Sequence, residues 1–144
     1  MRKVLNTAKV TVSIKEWVDP STGLTHVDIV NTPSSGLPSS TEVRVFNNEG
    51  IELPHPLFGK IRTRSRWAGA GDLDQIDGYL VKGFESGIDN FIHIVTEHLD
   101  YDAVTHQAWG FEEVEGNRRY SRHIVVKKGE EVLRSKLVYD YLGP

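Results

Sequence analysis

Apolar and polar residues alternate with a period of two along most of the chain. Val10, Val12 and Ile14 alternate with Thr11, Ser13 and Lys15, and Ile61, Thr63, Ser65 and Trp67 alternate with Lys60, Arg62, Arg64 and Arg66. This period sends successive side chains to opposite faces of a β-strand. Further extended segments are predicted at 26–30, 42–46, 78–84, 90–98, 104–114, 118–127 and 130–142, where Val, Ile, Thr, Tyr and Trp concentrate. Turn-forming runs such as Asp19-Pro20-Ser21-Thr22-Gly23 and Asn47-Asn48-Glu49-Gly50 separate them. One helical turn is expected over 72–77, and no window holds a helical stripe long enough for a full helix. The proline-rich stretches 31–41 and 51–58 are expected to be loops or lids at one end of the fold.

These elements predict one all-β domain spanning 1–144. The expected architecture is an antiparallel meander barrel of about 8–10 strands, lipocalin-like or a related small closed barrel, with a β-sandwich as the alternative.

The C-terminal meander can be registered from its turns. Glu115-Gly116 reads as a two-residue hairpin turn, which sets Trp109 opposite Arg122 and Phe111 opposite Tyr120. Lys128-Gly129 read the same way sets Arg122 opposite Ser135. A symmetric reading of the loop near Asp100 sets Val95 opposite Trp109 and His93 opposite Phe111. Opposed residues share a face. One face then collects Phe91, His93, Val95, Glu97, Gln107, Trp109, Phe111, Tyr120, Arg122, Ile124, Ser135, Leu137 and Tyr139. It holds most of the aromatic area and is expected to be the interior. The other face, with His106, Glu112, His123 and Lys136, is expected to be a solvated wall. A slip of two residues leaves these faces unchanged, whereas a slip of one exchanges them.

Composition narrows the classes. The chain has 144 residues, of which 38% are hydrophobic and 26% charged, with 17 basic against 20 acidic residues and a net charge of −3. That balance argues against a broad nucleic-acid footprint. The absence of cysteine excludes disulfide scaffolds, thiolate metal sites and cysteine nucleophiles. No run approaches the ~20 apolar residues that span a bilayer, and the first residues lack the apolar core of a signal peptide. A cytoplasmic protein is the expectation, with a homodimer as an allowed state. The basic stripe Lys60, Arg62, Arg64 and Arg66 reads as a charged wall that discourages edge pairing. The six histidines carry no HExxH spacing, so no metal is assigned.

The candidate chemistry comes from polar groups on the face expected to be inside. Charged groups there must be paired or must line a cavity. His93 and Glu97 lie about 13 Å apart along one strand, too far for contact but within reach of one ligand. Either can serve as general base, while Tyr120 or Arg122, the latter stacked on Trp109, stabilises an oxyanion. The catalytic candidates are therefore His93, Glu97, Tyr120 and Arg122. The ligand-binding candidates are Trp67, Phe91, Val95, Gln107, Trp109, Phe111, Ile124, Ser135, Leu137 and Tyr139. The set fits a cofactor-free isomerase, cyclase, dehydratase or lyase acting on a small, largely apolar or aromatic molecule. The alternative is a non-catalytic carrier for a hydrophobic ligand with an anionic or hydroxyl group.

Overall fold

A computed structural model of the chain describes residues 10–34, 38–55 and 59–141. Among these residues the protein is all-β, with nine strands in two antiparallel sheets. The chain divides into two compact units, 1–46 and 47–144. No helix of the described residues is long and apolar enough to cross a membrane.

The first unit is a three-stranded sheet in the order β1-β2-β3, with β1 at Val10–Val18, β2 at Thr25–Pro33 and β3 at Ser40–Val45. Val27 and Ile29 of the central strand are fully buried. Trp17 lies opposite His26, and their rings stack with centroids 4.3 Å apart. Trp17 Nε1 also donates to Asp28 at 3.0 Å. Strand pairing thus takes in both ends of the expected 31–41 loop, of which 35–37 lie outside the described residues.

The second unit is a six-stranded meander in the order β4-β5-β6-β7-β8-β9. Its strands are β4 (Ile51–His55), β5 (Gly59–Ala68), β6 (Phe91–His98), β7 (Ala103–Val114), β8 (Asn117–Lys128) and β9 (Glu131–Tyr139). Residues 51–55, expected in a loop or lid, instead form β4. It is an edge strand, the one place where Pro54 costs no ladder hydrogen bond. Residues 56–58 lie outside the described residues.

The turns explain the register. Glu115 and Gly116 both take positive φ, 52° and 80°, as a two-residue hairpin of matching twist requires. Trp109 accordingly pairs with Arg122 and Phe111 with Tyr120, as expected. At the next hairpin Lys128 pairs with Glu131, so the turn is Gly129-Glu130, one residue later than expected. The β8–β9 register therefore shifts by two, and every side chain keeps its face.

The β6–β7 register is a correction. Strand pairing runs on to His98↔Ala103, which closes a four-residue loop, and Ile92 lies opposite Trp109. The loop is held by Asp100, whose carboxylate accepts from Lys60 N–H at 2.9 Å, and by Asp102 at φ 52°. This offset from the symmetric reading is odd, so β6 presents the opposite set of side chains. Phe91, His93, Val95 and Glu97 do not share a face with Trp109, Tyr120 and Arg122.

The core of this unit lies on the face expected to be a solvated wall. Between β5 and β6 the chain forms helix α1 (Ala70–Ile76), where a helical turn was expected over 72–77, and a 3-10 turn at Gly78–Leu80, where a strand over 78–84 was expected. Leu73 and Leu80 are fully buried against Ala68, Phe91, Ala108 and Val125, with Ile76, Tyr79, Val81 and Phe84 packed beside them. Six apolar side chains within a dozen residues need a surface to cover, and this face of the sheet supplies it. Phe84 lies so close over Gly110 that a Cβ there would meet its ring at 3.0 Å.

Polar side chains on the same face clamp the segment. Lys127 donates to Ile76 O at 2.9 Å, and Arg134 bonds Asp77 at 2.8 Å. His123 Nδ1 sits 3.1 Å from Tyr79 O, and its Nε2 sits 3.0 Å from Glu112. Carbonyl oxygens only accept, so Nδ1 carries a proton. Lys136 completes the network at 3.1 Å from the other Glu112 oxygen. Burial works against the Glu112 charge, but the bonds from Lys136 and His123 outweigh it and hold this carboxyl below its ordinary pKa.

Removing Leu80 as Leu80→Ala is expected to destabilise the protein by about 2–5 kcal/mol, read as a lower denaturant midpoint. Leu133→Ala, at a position 71% exposed, is expected to stay within about 0.5 kcal/mol of the parent protein. Equal losses in the two variants would place the core elsewhere.

Candidate active site

Strands β5 to β9 build one continuous row across the sheet. Trp67 is opposite Ile92, Ile92 opposite Trp109, Trp109 opposite Arg122, and Arg122 opposite Leu137. On one side runs the row Ser65, Ile94, Gln107, Ile124 and Ser135. On the other side stand Phe111, Tyr120 and Tyr139. Trp67, Gln107, Trp109, Phe111, Tyr120, Arg122, Ile124, Ser135, Leu137 and Tyr139 therefore share one face.

Arg122 is the centre of this face and is 8% exposed. Its guanidinium carbon lies 4.0 Å above the Trp109 ring, 5.5 Å from the Tyr139 ring and 5.8 Å from the Tyr120 ring. A desolvated cation on an aromatic face gains about 2 kcal/mol. Nε donates to the Tyr120 hydroxyl at 2.8 Å. The indole is fixed in turn, since Trp109 Nε1 donates to Gln107 at 3.0 Å. Tyr120 meets Trp109 edge-on at 87° and lies 4.9 Å from Tyr139.

The guanidinium is incompletely satisfied. Its Nη2 is buried without a hydrogen-bond partner among the described residues, and no ion pair there includes Arg122. A buried charge without a counter-ion costs several kcal/mol, and an unmet donor adds to that cost. Aromatic contacts return only part of it. The group is therefore set to gain from a negative oxygen brought to Nη2. Trp67 and Phe111, each 40% exposed, and Leu137, 47% exposed, present apolar surface on the same face, and one side of the Phe111 ring is met by the Arg118 guanidinium at 4.0 Å.

The remaining candidates lie on the reverse face. His93 is 2% exposed. Arg66 Nε donates to its Nδ1 at 3.0 Å, and its Nε2 lies 3.1 Å from His106 Nδ1. Burial first, then the charge of Arg66, pushes the His93 pKa down from 6.5 to about 3. Glu97 is tied up with Arg62 at 3.0 Å and Arg64 at 3.8 Å. Val95 and Phe91 are buried. Sequence reasoning missed the roles of Arg66, His106, Glu112 and His123. The available signal was the apolar run between 73 and 84, which requires a covered face opposite Trp109.

A groove of about 420 Å³ lies at the β4 edge, lined by Glu52, Leu53, Pro54 and Lys60. Its charged groups already pair with each other, Lys60 to Glu52 at 3.3 Å. It offers no unmet donor comparable with Arg122.

An all-β chain with a buried, unpaired guanidinium among aromatic rings fits a protein that engages a small organic molecule. No protein-family model matches the chain, and no solved structure matches it. Two relatives cover its whole length. The pericyclase pydY of an Acremonium species is 51% identical over 144 residues, which make up 78% of that protein. The probable pericyclase scpY of Mollisia scopiformis is 47% identical over 144 residues, 76% of its length. The chain belongs to this pericyclase family. It is thus an enzyme of the cyclase and isomerase kind acting on a small molecule, and not a carrier.

The His93 geometry has a measurable pH consequence. Its proton uptake is depressed in the folded state, so between pH 6.5 and about 3 the unfolded chain binds more protons. The contribution of His93 to stability is thus fully present above 6.5 and is lost as pH falls through that window. Imidazole NMR is expected to show His93 neutral, with its proton on Nε2, from pH 8 down to pH 5. A midpoint near 6.5 would contradict the buried Arg66–His93 contact.

Proposed function

We propose that the chain catalyses the pericyclic ring closure of a linear conjugated polyene carrying a carbonyl or enolate oxygen. The substrate lies across the row Trp67, Trp109, Arg122 and Leu137. Membership of the pericyclase family supports the reaction class. The observation that carries the reading is Arg122: a buried guanidinium, stacked 4.0 Å over Trp109, with Nη2 lacking an acceptor among the described residues.

In such a closure π bonds of the polyene become σ bonds of the ring. No atom leaves, and no electron enters from outside. The chemistry needs neither a redox partner nor an external base. What the protein must supply is conformation and polarisation. A flexible polyene reacts only when its ends are folded together, and holding that conformer lowers the entropic part of the barrier. The flat faces of Trp109, Tyr120 and Tyr139 and the open surfaces of Trp67, Phe111 and Leu137 suit this apolar task. Nη2 of Arg122 donates to the conjugated oxygen, drawing electron density from the adjoining double bond. That bond strengthens as charge grows on the oxygen in the transition state. Tyr120 holds Nε and Gln107 holds the indole, so the donor is oriented before the substrate arrives. His93 and Glu97, on the reverse face, have no step in this mechanism.

Arg122→Met keeps length and apolar bulk but removes the donor. It is expected to lower kcat/KM by about 10²–10³-fold with the circular dichroism spectrum preserved. The assay follows a linear polyenyl carbonyl compound into a cyclic isomer of unchanged mass and shorter-wavelength absorbance. Glu97→Gln is expected to retain activity within a few-fold. Full activity of Arg122→Met would overturn the assignment.

A further inference from the structure

We propose that the reverse face of the six-stranded sheet, at His106, is a second binding site, which takes a small oxyanion of the carboxylate or phosphate class. It shares no residue with the Arg122 site, because His106 and Gln107 alternate across the sheet.

The site is built on a hydrogen-bond chain of fixed direction. Arginine has donors only, so His93 Nδ1 must accept from Arg66 Nε. His93 is then neutral with its proton on Nε2, and it donates this proton to His106 Nδ1 at 3.1 Å. His106 Nδ1 is thereby an acceptor, and the His106 proton stands on Nε2. The two rings lie within 7° of parallel, as an in-plane relay needs. The chain ends on an N–H group that has no acceptor among the described residues. His106 itself is only partly buried, so this donor can be reached.

The surroundings carry an excess of positive charge, with Arg62 and Arg64 sharing the single carboxylate of Glu97. Arg64 flanks His106 across Val95, and Lys127 stands on β8 beside Val125, the residue opposite His106. Lys127 bonds only the Ile76 carbonyl, and Arg66 has no carboxylate partner among the described residues. The acids of this face are already engaged: Glu97 by Arg62 and Arg64, Glu112 by His123 and Lys136, and Asp77 by Arg134. Burial and then the charges of Lys127, Arg64 and Arg66 press the His106 pKa down, which reports the same field. A directed donor at the centre of three cations suits an anion and repels a metal ion.

The test is imidazole NMR of the full chain, labelled at histidine, titrated separately with inorganic phosphate and with acetate. Sodium chloride keeps the ionic strength constant. The His106 Nε2 signal is expected to shift and saturate at millimolar anion. Saturation by phosphate alone assigns a phosphate-type ligand, and saturation by acetate assigns a carboxylate. Arg66→Met releases the relay and is expected to show mixed His106 tautomers and anion binding weaker by about 10-fold. Lys127→Met, which leaves the relay intact, is expected to weaken binding while the tautomer stays fixed. The proposal is overturned if neither anion saturates the signal beyond a chloride control, or if both variants bind like the parent protein.

Discussion

The stacking of Arg122 on Trp109 is the contact on which the functional half of this molecule depends. It is a product of the β7–β8 hairpin. The turn at Glu115-Gly116 sets which residues face each other, and opposed side chains in an antiparallel pair are the ones that touch. A cation placed in this way can remain buried only because three aromatic rings surround it. The same burial leaves it without a counter-charge. That unmet demand turns a packing arrangement into a device that attracts a developing negative oxygen.

The second constraint is that the sheet of this unit works on both sides. One face carries the aromatic and guanidinium wall. The other carries α1, the 3-10 turn and a polar network that bonds them to β7, β8 and β9. Alternation along each strand keeps the two roles separate while coupling their positions. His123 follows Arg122, and Ala108 precedes Trp109. The clamped, well-packed reverse face therefore fixes the backbone from which the wall projects, a rigid support of the kind a preorganised site requires.

Much of this was readable in the residue order. Period-two alternation identified the strands, because backbone geometry forces it wherever the two faces meet different environments. The hairpin signal at Glu115-Gly116 placed Trp109 and Arg122 together, and the error at Gly129 did no harm because it was an even shift. The β6–β7 loop was different. Its length depends on Asp100 reaching the Lys60 amide, a contact forty residues away in the chain. One odd step there moved His93, Glu97, Val95 and Phe91 off the expected wall.

The sequence by itself determined the strand content, the central hairpin and the aromatic setting of Arg122, since all three arise from local alternation and turn geometry. Only the tertiary structure decided which face each β6 residue joins and which face the segment after Ala68 covers. Those outcomes depend on contacts between distant parts of the chain, above all on where a cluster of apolar side chains could be removed from water.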